Sequence, residues 1–213
     1  MLQLRRVYDA LTADLGRQAW WPADTPFEMM LGAILVQNTR WHNVTLAVPR
    51  LAAAGLLDAA RWRDASDAVV LHAIHPCGFH RAKLRSTRAL AEWVVAEGES
   101  ELRRPELPDV ALRERLLDLP GIGHETADAI LLYAFDRPVF IYDAYARRMF
   151  EALWGVPNRT YLAAARANAE RVVAAGLSLD EQQQLHALID EYGKLVAAGE
   201  RSWEQLAGGA QRR

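Results

Sequence analysis

Cysteine occurs once, at Cys77, and lysine twice, at Lys83 and Lys194, in a chain of 213 residues. A single thiol excludes a disulfide scaffold and an iron–sulfur cluster held by four thiolates. No apolar run approaches the roughly 20 residues of a membrane span, and the longest, Ala127–Phe135, is interrupted by Asp128. The N-terminal MLQLRRVYDALTADL alternates charged and apolar residues, unlike a signal peptide. A soluble protein of a reducing, cytoplasmic compartment is the expectation, with no metal or other cofactor. Excess charge is missing too: the formal net charge is −2, less basic than a general nucleic-acid binder. What is abundant is apolar surface, with 51% hydrophobic residues, enough to build a core and to exclude disorder as the main state.

The basic residues that are present are nearly all arginine. Arginine offers a fork of donors suited to phosphate. A GC-rich genome that writes arginine for lysine gives the same bias, and both readings stand. The charges also cluster: His80, Arg81, Lys83, Arg85 and Arg88 have no acid among them.

Apolar periodicity predicts helices almost throughout. They cover Leu2–Leu15, Phe27–Val36, Asn43–Ala53, Leu57–Ile74 with a break near Asp64–Ser66, Arg81–Glu97, Val110–Leu119, His124–Phe135, Ala144–Trp154, Tyr161–Ala175 and Leu179–Ala198. Phe27–Val36 is apolar on nearly every side and is expected at the centre of a core. Glu101–Pro108 reads as a linker, and the tail Gly208–Arg213 is expected to fray. Strand signals are confined to Val139–Tyr142, too short for a sheet. The class is all-α.

Four segments could carry chemistry. Leu119-Pro120-Gly121-Ile122-Gly123 lies between two helices, as a tight turn whose following amides could hold a phosphate without a basic side chain. It could equally be an ordinary helix–helix turn. Phe140-Ile141-Tyr142-Asp143 brings one carboxylate to the start of a helix, where Asp143 can cap it, activate a water or stabilise a cation. Val36-Gln37-Asn38-Thr39-Arg40-Trp41 places amides and an indole after a buried helix, either as a polar connection or as groups for base edges and stacking. His72, His75, Cys77 and His80 could bind zinc, but their spacing fits no standard finger and Pro76–Gly78 already explains a turn there.

Taken together, these segments resemble the helix-hairpin-helix DNA glycosylases of the endonuclease III type. The likeness lies in LPGIG, in ETADAILLYAF, in VFIYDAYARR, in Pro26–Met30 with Gln37-Asn38-Thr39, and in Pro76-Cys77-Gly78-Phe79-His80-Arg81-Ala82-Lys83. It extends from about Asp24 to Lys194. The wording of GIGHETADAIL and QNTRW is most similar to the 3-methyladenine glycosylase branch. The resemblance implies two helical lobes with a cleft between them: a barrel lobe over 24–135 with the hairpin, and a second lobe of 1–23 with 136–213 carrying the catalytic Asp. It implies a monomer acting on double-stranded DNA that contains a damaged base, without a membrane. Asp143 would be the catalytic residue. Gln37, Asn38, Gly121, Ile122, Gly123, Arg81 and Lys83 would contact DNA, with Gln37 filling the gap left by a base rotated outward. Trp20, Trp21, Trp41, Glu125 and Lys194, with Phe27 a further aromatic candidate, would line the base pocket.

Two departures from the family pattern matter. The position that carries a lysine in the lyase-type members is Glu125, 18 residues before Asp143, and a carboxylate cannot form a Schiff base. The cysteines that hold the family's iron–sulfur cluster are absent after Lys194. The expectation is therefore a monofunctional glycosylase for a damaged base, an alkylated purine first. An enzyme for oxidised pyrimidines or mismatched bases, or an inactive DNA-binding relative, are the alternatives.

Overall fold

The computed structural model describes residues 2–157 and 159–210. Its helices are α1 (Leu4–Leu15), α2 (Pro26–Leu35), α3 (Trp41–Ala53), α4 (Ala59–Asp64), α5 (Asp67–Ile74), α6 (His80–Glu97), α7 (Glu99–Leu102), α8 (Asp109–Leu117), α9 (His124–Ala134), α10 (Ala144–Trp154), α11 (Tyr161–Ala174), α12 (Leu179–Ala197) and α13 (Trp203–Ala210). Among the described residues there is no strand, and no helix is long and apolar enough to cross a membrane. The all-α expectation holds. The break expected near Asp64–Ser66 is found at Ala65–Ser66, between α4 and α5. Two local expectations fail: the linker opens with the short helix α7, and α13 continues to Ala210 where fraying was expected. Residues 211–213 of that tail lie outside the described residues.

The chain forms two compact units, one of Pro22–Arg137 and one of Met1–Trp21 with Pro138–Arg213. The sequence boundaries fell two residues inside these, after 23 and after 135.

The first unit is organised by α2. Its N-cap Thr25 accepts the Glu28 N–H at 3.1 Å, and Glu28 reaches back to the Asp24 N–H at 3.1 Å, so orphan amides at the helix start are satisfied from both directions. Every residue from Phe27 to Leu35 is buried, which suits a helix without a polar face. It packs against α6 and α9. Trp62 on α4 is fully buried and meets Phe27 edge-on at 6.3 Å. Arg88 of α6 turns inward to the carbonyls of Trp62, Arg63 and Ala65, closing the C-terminal end of α4.

In the second unit, Leu4, Val7 and Leu11 form the buried stripe of α1, against Met149, Phe150, Leu185, Leu188 and Tyr192. The segment read as strand-like forms no strand. Its alternation buries Phe140 and Tyr142 together, 4.7 Å apart and each against Phe150. Arg5 ties α1 to α12: its guanidinium donates to both Glu181 carboxylate oxygens and to the carbonyls of Ala175 and Gly176. Glu181 also completes a capping box with Ser178.

The Arg5 hydrogen bond and the Ser178 amide bond hold the Glu181 carboxyl down from 4.5 to about 2. A depressed carboxyl pKa contributes stability that is complete above the unfolded value and is lost as the pH falls through the folded one. Glu181→Gln is therefore expected to lower stability at pH 7 by about 1 kcal/mol, since the pair is partly solvated. In thermal melts the gap from the parent should narrow as the pH falls from 4.5 toward 2. A gap that stays constant with pH would show that the charge contributes nothing.

Candidate active site and nucleic-acid interface

The hairpin Leu119–Gly123 joins α8 to α9 within the Pro22–Arg137 unit. Arg113 of α8 clamps Asp128 of α9 with two hydrogen bonds of 2.6 and 3.0 Å, and Asp128 is 3% exposed. The same guanidinium lies 3.3 Å from Nδ1 of His124. Arginine only donates, so Nδ1 must accept. This brace fixes the angle at which α9 leaves the turn. Gly121 has φ +80°, and a Cβ there would sit 2.1 Å from Ser86 Oγ of α6. Glycine is required both by the backbone and by that approach. Gly123 is the N-cap of α9, has ordinary φ and faces open space. Because it has no side chain, it cannot cap the first-turn amides, and the positive end of the helix stays open to an anion.

Ile122 differs from its expected role. Its side chain is buried, and its N–H is donated to the Leu119 carbonyl at 3.2 Å. It anchors the turn and offers a phosphate nothing. Gln37 likewise turns inward. Its amide donates to the Gly121 carbonyl at 3.1 Å and to Thr126 Oγ1 at 2.9 Å, so it steadies the hairpin. Asn38 beside it is exposed, with φ +55°.

Lys83 is 4% exposed, and its Nζ donates to the carbonyls of Leu35 and Cys77 at 2.8 and 2.7 Å. Burial pulls this amine below the ordinary lysine range, partly offset by Cys77. It is a strut across the ends of α2 and the 75–77 turn, not the phosphate contact expected of it, because a long chain beside two open carbonyls gains more by turning in. Arg81 and Arg85, one to two turns along α6, are exposed. Phe79 heads the same helix with φ +48° and is 66% exposed. It was quoted within the motif without a role, and only its exposure singles it out. Phe27 is packed in the core, so it is no pocket residue. Trp41 is half-buried at the start of α3, and Glu125 is exposed in the first turn of α9. Among the described residues no three ligand-type side chains converge for a metal. Cys77 is buried, and His80 stacks on His75 with its Nε2 2.6 Å from the His75 carbonyl.

The other unit holds Asp143, which is 9% exposed as a residue. The buried aromatics before it fix the entry to α10, and Oδ1 accepts the Ala146 N–H at 2.7 Å. Oδ2 lies 3.6 Å from His186 Nε2 on α12. Further along α12, Asp190 pairs with Lys194 at 2.6 Å, and Glu191 joins at 2.8 Å. Burial pushes the Asp190 carboxyl up against the pull of Lys194 and His186, with Asp143 adding to the rise. Burial pulls the Lys194 amine down, but its bonds to Asp190 and Glu191 outweigh that and hold it above the ordinary range. Its Nζ stands 5.8 Å over the ring of Trp20, and Trp20 and Trp21 pack at 5.2 Å. The structure thus brings Asp143, Lys194, Trp20 and Trp21 into one unit. The i,i+4 pairing of Lys194 with Asp190 is legible from their spacing on α12, whereas His186, four residues before Asp190, meets a partner outside its own helix.

Three substitutions separate these roles. Gly121→Ala should cost about 1–3 kcal/mol through φ and the Ser86 contact, while Gly123→Ala should leave the melting temperature within error. Lys83→Met should cost about 1–3 kcal/mol by orphaning two carbonyls. Equal melting temperatures for both glycine variants would show that the turn tolerates a side chain at either place.

Residues 31–174 match the family of HhH-GPD superfamily base excision DNA repair proteins. A protein of Methanocaldococcus jannaschii assigned to the DNA repair glycosylases is 34% identical over 191 residues, covering 89% of this chain and 86% of its own. The structure of Helicobacter pylori 3-methyladenine DNA glycosylase bound to 1,N6-ethenoadenine superposes with a TM-score of 0.74 at 26% identity, covering 91% of this chain and 98% of that one. An endonuclease III–DNA covalent intermediate shares the fold at a TM-score of 0.69 and 18% identity, covering 87% of this chain and 82% of that one. With the matched span reaching from α2 through the hairpin and Asp143 to α11, the chain belongs to the HhH-GPD superfamily of base excision DNA repair proteins, as a DNA glycosylase.

Proposed function

We infer that the chain hydrolyses the N-glycosidic bond of an alkylated purine in duplex DNA and leaves the abasic strand intact. The observation that carries this is the fixed Asp143 carboxylate, with one oxygen bound by the α10 amide and the other beside His186. Losing a base leaves cationic character on the sugar, and a preorganised carboxylate stabilises it while orienting a water. Asp190 of α12 adds a second carboxyl group that interacts with Asp143, and with the Trp20–Trp21 pair this suits a leaving group that already carries positive charge. The likeness to the Helicobacter pylori enzyme supports the same substrate class.

The hairpin amides and Gly123 serve one backbone phosphate, joined by Arg81 and Arg85. With Gln37 committed to the hairpin, Asn38 is the loop side chain that enters the duplex, and the exposed Phe79 ring offers an apolar face to the unstacked bases. Water is the nucleophile. Lys83 is buried on two carbonyls and Lys194 is held protonated, and a protonated amine cannot attack C1′.

A panel of duplexes, each with one alkylated, deaminated, oxidised or mismatched base, tests the substrate class. Alkylated purines should be released fastest; faster release of an oxidised pyrimidine would replace that assignment. Asp143→Asn, which keeps the cap, should abolish release while the protein still binds DNA. Gly123→Val, which meets open space in the protein, should weaken binding to all sequences alike with a shallow salt dependence. Reaction in borohydride should trap no covalent adduct, and an adduct formed at the rate of base release would identify an amine as the nucleophile.

A further inference from the structure

The two oxygens of Asp143 have different partners, and only one is explained by helix capping. Oδ1 takes the Ala146 amide at 2.7 Å. Oδ2 faces the His186 imidazole at 3.6 Å, with both side chains 12% exposed. That distance is within ion-pair reach and slightly beyond a hydrogen bond, so a shift of a few tenths of an ångström closes it. The approach is built into the packing. α12 passes close to α10 at Gly193, where a Cβ would lie 2.4 Å from Cδ1 and 2.8 Å from Cβ of Tyr145, two residues after Asp143. Any side chain at Gly193 would move the helices apart at that crossing. His186, Asp190 and Lys194 follow one another at four-residue spacing and therefore share one stripe of α12. The stripe carries Asp190 and its bound Lys194 beside the imidazole on its own helix, and Asp143 faces it from the start of α10. From the N-terminal segment, Arg5 and Arg17 pair with Glu181 and Asp180 of α12, and Asp14 lies near Tyr192.

We propose that His186 is a positioning residue for base release. Its Nε2 stands where it can donate to Asp143 Oδ2 and hold that oxygen in place beneath the sugar. This rests on reading Asp143 as the group that stabilises the cation.

Two measurements test it. The first follows the His186 ring nitrogens by NMR at pH 7.5 in the parent protein and in Asp143→Asn. Removing the carboxylate should move the Nε2 resonance; an unmoved resonance overturns the contact. The second measures single-turnover base release from duplex DNA methylated with dimethyl sulfate, whose 3-methyladenine is a fixed cation and adds no titration of its own. His186→Leu should slow release by about 10-fold or more with DNA affinity unchanged. His186→Gln, which retains a donor, should recover most of the rate at pH 7.5. Parent-like release by His186→Leu beside an inactive Asp143→Asn overturns this proposal alone. Parent-like release by Asp143→Asn, or no release by the parent, overturns the reading beneath it. Equal losses in both His186 variants, with DNA affinity or melting temperature falling in step, reduce His186 to a packing residue.

Discussion

A charged carboxylate must stand at the edge of an apolar core without being neutralised by it, and the packing around Asp143 satisfies that constraint. Phe140 and Tyr142 are buried two residues apart, which pins the chain just before Asp143. The α10 amide then binds one oxygen. What remains is the second oxygen, and α12 brings His186 to 3.6 Å from it, close to the tight crossing at Gly193. A bulkier residue at this glycine would lengthen the His186 contact before it touched the carboxylate itself.

In the other unit part of the basic charge is used internally. Arg113 pairs with Asp128 at the hairpin, and Lys83 and Arg88 turn inward to carbonyls, while Arg81 and Arg85 of the same cluster stay exposed. On the proposed reading, affinity for DNA comes chiefly from amides aimed by a rigid turn, whose partial charges need no counter-ion of their own. The Gln37 amide, bound to both Gly121 and Thr126, shows how far the turn is stiffened from outside. Rigidity matters here because an amide contributes only if it already points at the phosphate.

Helix positions were legible because apolar periodicity and capping residues repeat the same information, as at Thr25-Pro26 and Ser178-Leu179. The hairpin and Asp143 were legible because Gly and Asp are demanded by backbone geometry, which a local motif encodes. Directions of long side chains were not. Lys83 reads as surface charge until the carbonyls of Leu35 and Cys77, distant in sequence from each other, are seen to converge on it. Gln37 and Ile122 fail for the same reason: a residue next to a binding turn can serve the turn or the ligand, and only tertiary contacts decide. His186 is the opposite case, since its four-residue spacing from Asp190 and Lys194 was visible but its partner lies on another helix.

The scarcity of lysine takes on a mechanistic meaning in this setting. A Schiff-base route needs an amine that is both near the sugar and able to lose its proton. Burial lowers the Lys83 pKa, which would favour a neutral amine, but its Nζ is enclosed with two acceptors and only 4% of the residue meets solvent. Lys194 is accessible over Trp20, yet Asp190 and Glu191 hold its proton in place. Replacing Asp190 and Glu191 with amides would release the Lys194 amine from that hold, so these two acids bear directly on the proposed choice of water over an amine as nucleophile.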